Sequence, residues 1–241
     1  MYGLPKIHKN NTPLCPILSM IGSSQHQLAK FLSIILQPVL ETHSSHCIKD
    51  SFTFARIIQK LDLDPKTTFL CSFNISSLFT NVPLDETIQI CPDTLYNGDL
   101  IPPVFSKEIF IELMYIATKS VQFSFDNIMY QQIDGVAMGS PLGPALANIF
   151  VGFYENKLFN AIDKPLFYFR YVDDTFAIFN SESECNHFLR ELNSLHPSLN
   201  FTQEMEDNNR LPFLDVLVEK TENRFLTSVY RKPTFTGQYN R

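Results

Sequence analysis

The sequence predicts an α+β fold with a largely antiparallel sheet backed by helices. Two observations predict it. Segments with apolar residues at helical spacing alternate with short β-branched and aromatic runs, and two turn dipeptides, Asp126-Asn127 and Asp173-Asp174, join such runs at tight-hairpin spacing. That order suits hairpins and helices better than a doubly wound parallel sheet. Residues 23–37 suit a helix, with Leu28, Phe31, Leu32, Ile35 and Leu36 at helical spacing before Pro38 stops it; 51–61 suit another through Phe54, Ile57, Ile58 and Leu61. Thr68–Ile75 has the length and composition of a strand, and Asp85–Tyr96 of a helix that Pro92 interrupts. Ser106 can cap a helix carrying Ile109, Phe110, Leu113, Met114 and Ala117, after which Val121–Phe125 and Ile128–Ile133 flank Asp126-Asn127. A long helix is expected from about Pro141, then strands Phe167–Val172 and Thr175–Phe179 with Asp173-Asp174 at the hairpin tip. Ser181 and Glu184 form a capping-box pattern for a helix that Pro197 ends, and 211–220 with 225–232 suit a last hairpin.

With 241 residues, 44% hydrophobic and 18% charged, the chain can bury a core as one large domain or two small ones, and the absence of repeats favours one continuous domain. Its apolar stretches break well short of the ~20 positions of a membrane span, and no signal sequence opens it, so the sequence predicts a soluble, intracellular protein with no membrane partner. Five cysteines, Cys15, Cys47, Cys71, Cys91 and Cys185, stand far apart with no C-x-x-C pair, which argues against a zinc site and a disulfide framework. The net charge of -6 counts against a nucleic-acid partner. The charge is uneven, however: Lys6, His8 and Lys9 open the chain, Arg231, Lys232 and Arg241 close it, and acids dominate 182–207, which leaves room for a basic groove beside an acidic centre.

Tyr171-Val172-Asp173-Asp174 is the sharpest constellation, because adjacent acids in an apolar hairpin repel each other unless solvated or bound to cations, which points to a Mg²⁺ site. Asp-Asp is also an ordinary turn dipeptide. Its company separates the two readings: a strand end at Phe73–Ile75 and the small-residue segment Gly135–Pro141 precede it in the order of polymerase motifs A, B and C. Tyr2-Gly3-Leu4-Pro5-Lys6-Ile7-His8-Lys9, Ser77-Leu78-Phe79-Thr80-Asn81-Val82-Pro83, Ala137-Met138-Gly139-Ser140-Pro141-Leu142, Tyr171-Val172-Asp173-Asp174, Leu211-Pro212-Phe213-Leu214-Asp215 and Tyr230-Arg231-Lys232-Pro233-Thr234 resemble, in order, the successive blocks of Penelope-like reverse transcriptases.

The resemblance implies a right-hand polymerase fold: a partial reverse transcriptase domain over 1–241, with fingers over about 1–65 and a palm over about 66–241 that carries an interspersed fingers segment at 100–135. The thumb would lie beyond Arg241, and nothing here resembles the GIY-YIG endonuclease that many such proteins carry, so the chain is expected to be truncated at both ends. It implies RNA-directed DNA polymerisation with an RNA template, a DNA primer and deoxynucleoside triphosphates. Two Mg²⁺ ions, replaceable by Mn²⁺, would stabilise both ends of the transferring phosphate about 3.5–4 Å apart. By the same resemblance Asp173, Asp174 and the backbone carbonyl of Ile75 are metal ligands, and Phe79 is the aromatic gate that excludes a 2′-hydroxyl. Gly139, Ser140 and Pro141 form the motif B turn against the nucleotide, where the lack of a Cβ lets the backbone approach. Lys6 faces the triphosphate, and Lys9, Arg231 and Lys232 face nucleic acid. The plain alternatives are a core phenylalanine, one of 22, and solvated lysines and arginines at element ends.

Two positions depart from the family pattern. Asn74 stands where the family has its motif A aspartate, and a neutral amide ligates a metal without neutralising it. Cys15, in Pro13-Leu14-Cys15-Pro16-Ile17, stands where the family has an arginine that grips the triphosphate. With Pro92 costing a helix about 3 kcal/mol, these changes suggest a decaying copy with weak metal occupancy. Two other readings stand beside this one: a catalytically dead remnant that at most binds nucleic acid, which would bind duplex without turnover, and an unrelated metal-dependent phosphohydrolase, which would hydrolyse nucleotides without a primer. Nuclear action follows from the resemblance alone.

Overall fold

The computed structural model describes residues 2–5, 14–18, 20, 22–119 and 121–232. The chain opens with β1 (Tyr2–Pro5) and β2 (Leu14–Ile17), an antiparallel pair. Next come α1 (Ser24–Ile35) and α2 (Gln37–Thr42). Pro38 therefore starts a helix instead of ending the region, because in a first turn its missing N–H would have had no intrahelical partner anyway. α3 (Ser51–Gln59) is capped by the Asp50 carboxylate, which accepts from Thr53 N at 2.6 Å. A 3₁₀ turn at Pro65–Thr67 leads into β3 (Phe69–Ile75), and the left-handed Ser77 into the short α4 (Leu78–Asn81). α5 (Leu84–Asn97) runs straight through Pro92, against the expected interruption. Its buried Leu84, Ile88, Ile90 and Leu95, each contributing about 1.5–3 kcal/mol, outweigh the proline's cost of about 3 kcal/mol.

α6 (Lys107–Thr118) begins at the Ser106 cap, as the sequence predicts. β4 (Gln122–Phe125) and β5 (Ile128–Gln131) pair across Asp126 and Asn127, whose φ values of 50° and 60° are those of a type I′ turn. α7 (Gly143–Ala161) starts two residues after Pro141. β6 (Phe167–Tyr171), β7 (Asp174–Phe179), α8 (Glu182–Ser194) and β8 (Phe201–Met205) follow. The single strand expected over 211–220 is two, β9 (Arg210–Phe213) and β10 (Val216–Lys220), because Leu214 turns left-handed at φ 55° between them. β11 (Phe225–Val229) pairs with β10 and ends before residue 232. Among the described residues no helix is long and apolar enough to cross a membrane.

The chain forms two compact units, each assembled from two separate stretches: 1–45 with 77–157, and 46–76 with 158–241. In the first, α6 packs on α1 and α5, and α2 packs on α5. Gly152 of α7 fits against the end of α2, where a Cβ would lie 1.8 Å from the His43 carbonyl oxygen.

The second unit contains the antiparallel sheet β6-β7-β3-β8 and the antiparallel sheet β11-β10-β9. Alternation along β3 sends Cys71, Phe73 and Ile75 to one face and Leu70, Ser72 and Asn74 to the other. α8 covers the first face, with Phe188 5.7 Å from Phe73 between ring centroids. On the other, Leu70, Phe176 and Ile178 join Phe54 and Ile58 of α3 and Leu211, Phe213 and Val218 in one core. Lys220 bridges to Glu206 at 2.5 Å and donates to the Thr68 carbonyl, which ties β10 to the strands around β3. Cys47, Cys71, Cys91 and Cys185 are free thiols. Cys71 is held well above the usual thiol range by its hydrogen bond with Cys185 and by burial.

Candidate active site

The β6–β7 hairpin closes one residue earlier than the sequence suggests. Tyr171 pairs with Asp174, so the two-residue loop is Val172-Asp173 instead of Asp173-Asp174. Val172 takes the left-handed conformation at φ 58°, which lets Asp174 become the first residue of β7. In that register Asp174 lies directly across from Asn74, the next-to-last residue of β3. The Asn74 amide Nδ2 donates to Asp174 Oδ1 at 2.7 Å, and Ile75 N donates to the Asp173 carbonyl at 2.8 Å. Four sequence-predicted site residues, Asn74, Ile75, Asp173 and Asp174, thus meet at one end of the sheet, with the two aspartates and Asn74 half-buried.

The donors there are two carboxylates and one neutral amide whose N–H face is turned on Asp174. Among the described residues no three of His, Cys, Asp and Glu gather at one point. Asp173 and Asp174 fit one hard divalent cation. They do not fit two, because no third negative ligand joins them among the described residues and the amide supplies a hydrogen where a carboxylate would supply charge.

Phe79 and the motif B segment come together within the first unit. The Phe79 carbonyl accepts from Val136 N at 2.7 Å, and its ring lies 3.9 Å from the point where a Cβ on Gly143 would sit. Gly135, at φ 76°, leaves no room for a side chain, since a Cβ would approach the Thr80 carbonyl to 2.7 Å. Gly139 has φ 119°, Ser140 is buried with its hydroxyl accepting from Leu142 N at 3.3 Å, and Pro141 leads to the start of α7. Cys15 pairs with Leu4 through the β1–β2 backbone, while its side chain, Lys6 and Lys9 lie outside the described residues. Arg231 and Lys232 are exposed just past β11, and Pro233-Thr234 lie outside the described residues.

Arg170 escapes the sequence reading. It is fully buried in β6, and its Nη1 donates to the Val172 carbonyl at 2.9 Å. The signal for it is a lone cation inside the apolar run Phe167-Tyr168-Phe169-Arg170-Tyr171, a place a guanidinium occupies only when paired. A cavity of about 760 Å³ opens between the α7–β6 loop and α8, lined by Lys164, Asn180 and His187 among others. It lies at the opposite end of the hairpin from Asp173 and so is not the candidate site.

A sequence model of the family described as reverse transcriptase (RNA-dependent DNA polymerase) matches residues 9–206. No curated protein matches the sequence. Among solved structures, apo telomerase from Candida tropicalis truncated from its C-terminal domain is similar at a TM-score of 0.64 and 12% identity, over 87% of this chain and 46% of that one. Telomerase from Candida albicans in complex with a fragment of telomeric RNA is similar at 0.64 and 12%, over 82% and 38%. The BmCPV RNA-dependent RNA polymerase at elongation state is similar at 0.55 and 9%, over 86% and 20%. At these identities the likeness concerns the fold, which is the right-hand polymerase fold, and the chain spans less than half the length of each of these proteins.

Proposed function

The chain belongs to the reverse transcriptase (RNA-dependent DNA polymerase) family, and from that premise we propose that it is part of a Penelope-like retroelement reverse transcriptase whose nucleotidyl transfer is impaired in this copy. The observation that carries the reading is the strand register that sets Asn74 opposite Asp174 and joins Ile75 to Asp173, so that motif A and motif C positions share one sheet end. The substrates are deoxynucleoside triphosphates, an RNA template and a DNA primer, and the expected compartment is the nucleus.

Asp173 and Asp174 hold the divalent cation, Mg²⁺ or Mn²⁺, which when bound lowers the pKa of the primer 3′-hydroxyl and neutralises charge on the phosphates. Phe79, packed against the motif B segment, limits the sugar to one without a 2′-hydroxyl. Arg231 and Lys232 meet primer phosphates as solvent-exposed cations. Cys15 lacks the fork of N–H donors that would grip a triphosphate, and Asn74 lacks the charge that would recruit a second ion.

Primer extension on an RNA template with Mg²⁺ or Mn²⁺ tests this, comparing the chain with Asn74→Asp and with Asn74→Asp plus Cys15→Arg. The expected outcome is little or no extension by the chain and a gain of at least about 100-fold on restoring the carboxylate, the size typical of losing one electrostatic contact to the transition state. Extension by none of the three, although all fold and bind the primer–template duplex, sinks the assignment of the catalytic centre. The hydrogen bond from Asn74 to Asp174 favours a second reading, a remnant that only binds nucleic acid, because the amide occupies Asp174 Oδ1 and adds no charge to attract a cation. Duplex binding without extension by any variant is its outcome.

A further inference from the structure

We propose that Arg170 is a positioning residue for Asp173: it holds the strained turn that aims this carboxylate at its cation. The inference rests on the reading of Asp173 as a metal ligand. Arg170 is among the largest fully buried side chains of the protein, and a guanidinium inside an apolar strand is costly unless charged hydrogen bonds compensate it. Its Nη1 donates to the Val172 carbonyl at 2.9 Å. Val172 is β-branched and left-handed at φ 58°, a conformation that persists only where the surroundings over-determine it.

The surroundings do so from three sides. Arg170's own backbone is fixed, its N–H donating to the His46 carbonyl and its carbonyl accepting from Ile48 N, both at 2.8 Å. Its side chain then fixes the Val172–Asp173 peptide plane through the Val172 oxygen. Ile75 N fixes the following plane through the Asp173 oxygen. With both peptide planes beside its Cα held, Asp173 has one direction for its Cβ, and only side-chain rotation is left to set the carboxylate. Asp174 needs no such device, because it is inside the β7 ladder.

The test uses Arg170→Met and Arg170→Lys, each alone and combined with Val172→Gly, since glycine adopts this φ without strain. Two readouts are taken: affinity for Mn²⁺ alone, by electron paramagnetic resonance, and hydrogen exchange of the Ile75 amide without metal. Arg170→Met is expected to weaken Mn²⁺ binding and speed Ile75 exchange, each by about tenfold or more, and Arg170→Lys by less, the range for groups that orient a metal ligand. With Val172→Gly the loss should shrink to about threefold or less, because the turn then needs no clamp. Equal losses with valine and with glycine overturn the proposal, since Arg170 would then act only as a core side chain; so does an unchanged Ile75 exchange rate in Arg170→Met. If neither the chain nor Asn74→Asp binds Mn²⁺, the metal reading falls and takes this one with it. That outcome is distinct, because Ile75 exchange still responds to Arg170.

Discussion

Asn74 gives its amide hydrogen to Asp174 Oδ1, a neutral partner that leaves the charge of the carboxylate uncompensated. An aspartate at that position would instead put two negative oxygens near 3 Å apart, and like charges at about 4 Å repel by roughly 4 kcal/mol in surroundings of intermediate polarity. Asn74→Asp should therefore lower the melting temperature by roughly 8–16 °C in EDTA, and millimolar Mg²⁺ or Mn²⁺ should restore it through ligand linkage. The unaltered chain should respond far less to the same ions. Calorimetry with and without the ions checks both, and an equal response in the two chains would show that Asp173 and Asp174 do not form the cation site. At this scale the structure brings Asn74, Ile75, Asp173 and Asp174 together, but in a different loop from the one the sequence predicts. Its Asp-Asp tip became Val-Asp because Val172 takes a backbone conformation that composition disfavours and Arg170 holds in place.

Local chemistry made several elements legible. The Ser106 and Ser181 hydroxyls accept from backbone N–H groups three residues on, and Asp126-Asn127 turns as its residue types demand. Pro92 and the Leu214 turn were not legible, because each is decided by packing from elsewhere in the chain. Gly152 belongs with them: glycine inside a helix costs up to about 1 kcal/mol relative to alanine, and only the backbone of His43 explains it. Gly152→Ala should consequently destabilise the protein by about 3 kcal/mol or more, since a carbonyl cannot yield as a side-chain tip can. The urea midpoint of the variant measures this. A stability equal to or above that of the parent would mean α2 and α7 are not in the contact described.

For the molecule as a whole, stability should depend on pH through His43, which is buried against the edge of Phe153 and lies 3.1 Å from the Thr94 hydroxyl. Burial lowers its pKa from 6.5, so the unfolded chain takes up a proton that the folded one resists. The contribution is intact above pH 6.5, declines as pH falls below it, and levels off once the folded-state value is passed. Unfolding free energy measured from pH 7.5 to 5.5 should fall, and His43→Gln should flatten the curve; an unchanged slope assigns the decline to other groups. The ordered motifs made the polymerase fold legible at this scale, whereas the order of the strands in the sheet was not, since periodicity says nothing about which distant strand completes a sheet. β3 lies between β7 and β8, and Asn74 meets Asp174 only 100 residues later. At about 5–20 residues per second of synthesis, β3 waits roughly 5–20 s on the ribosome with both edges unpaired. A ribosome that stalls in that interval releases a nascent chain whose apolar Phe69–Ile75 segment is an open template for aggregation unless a chaperone covers it.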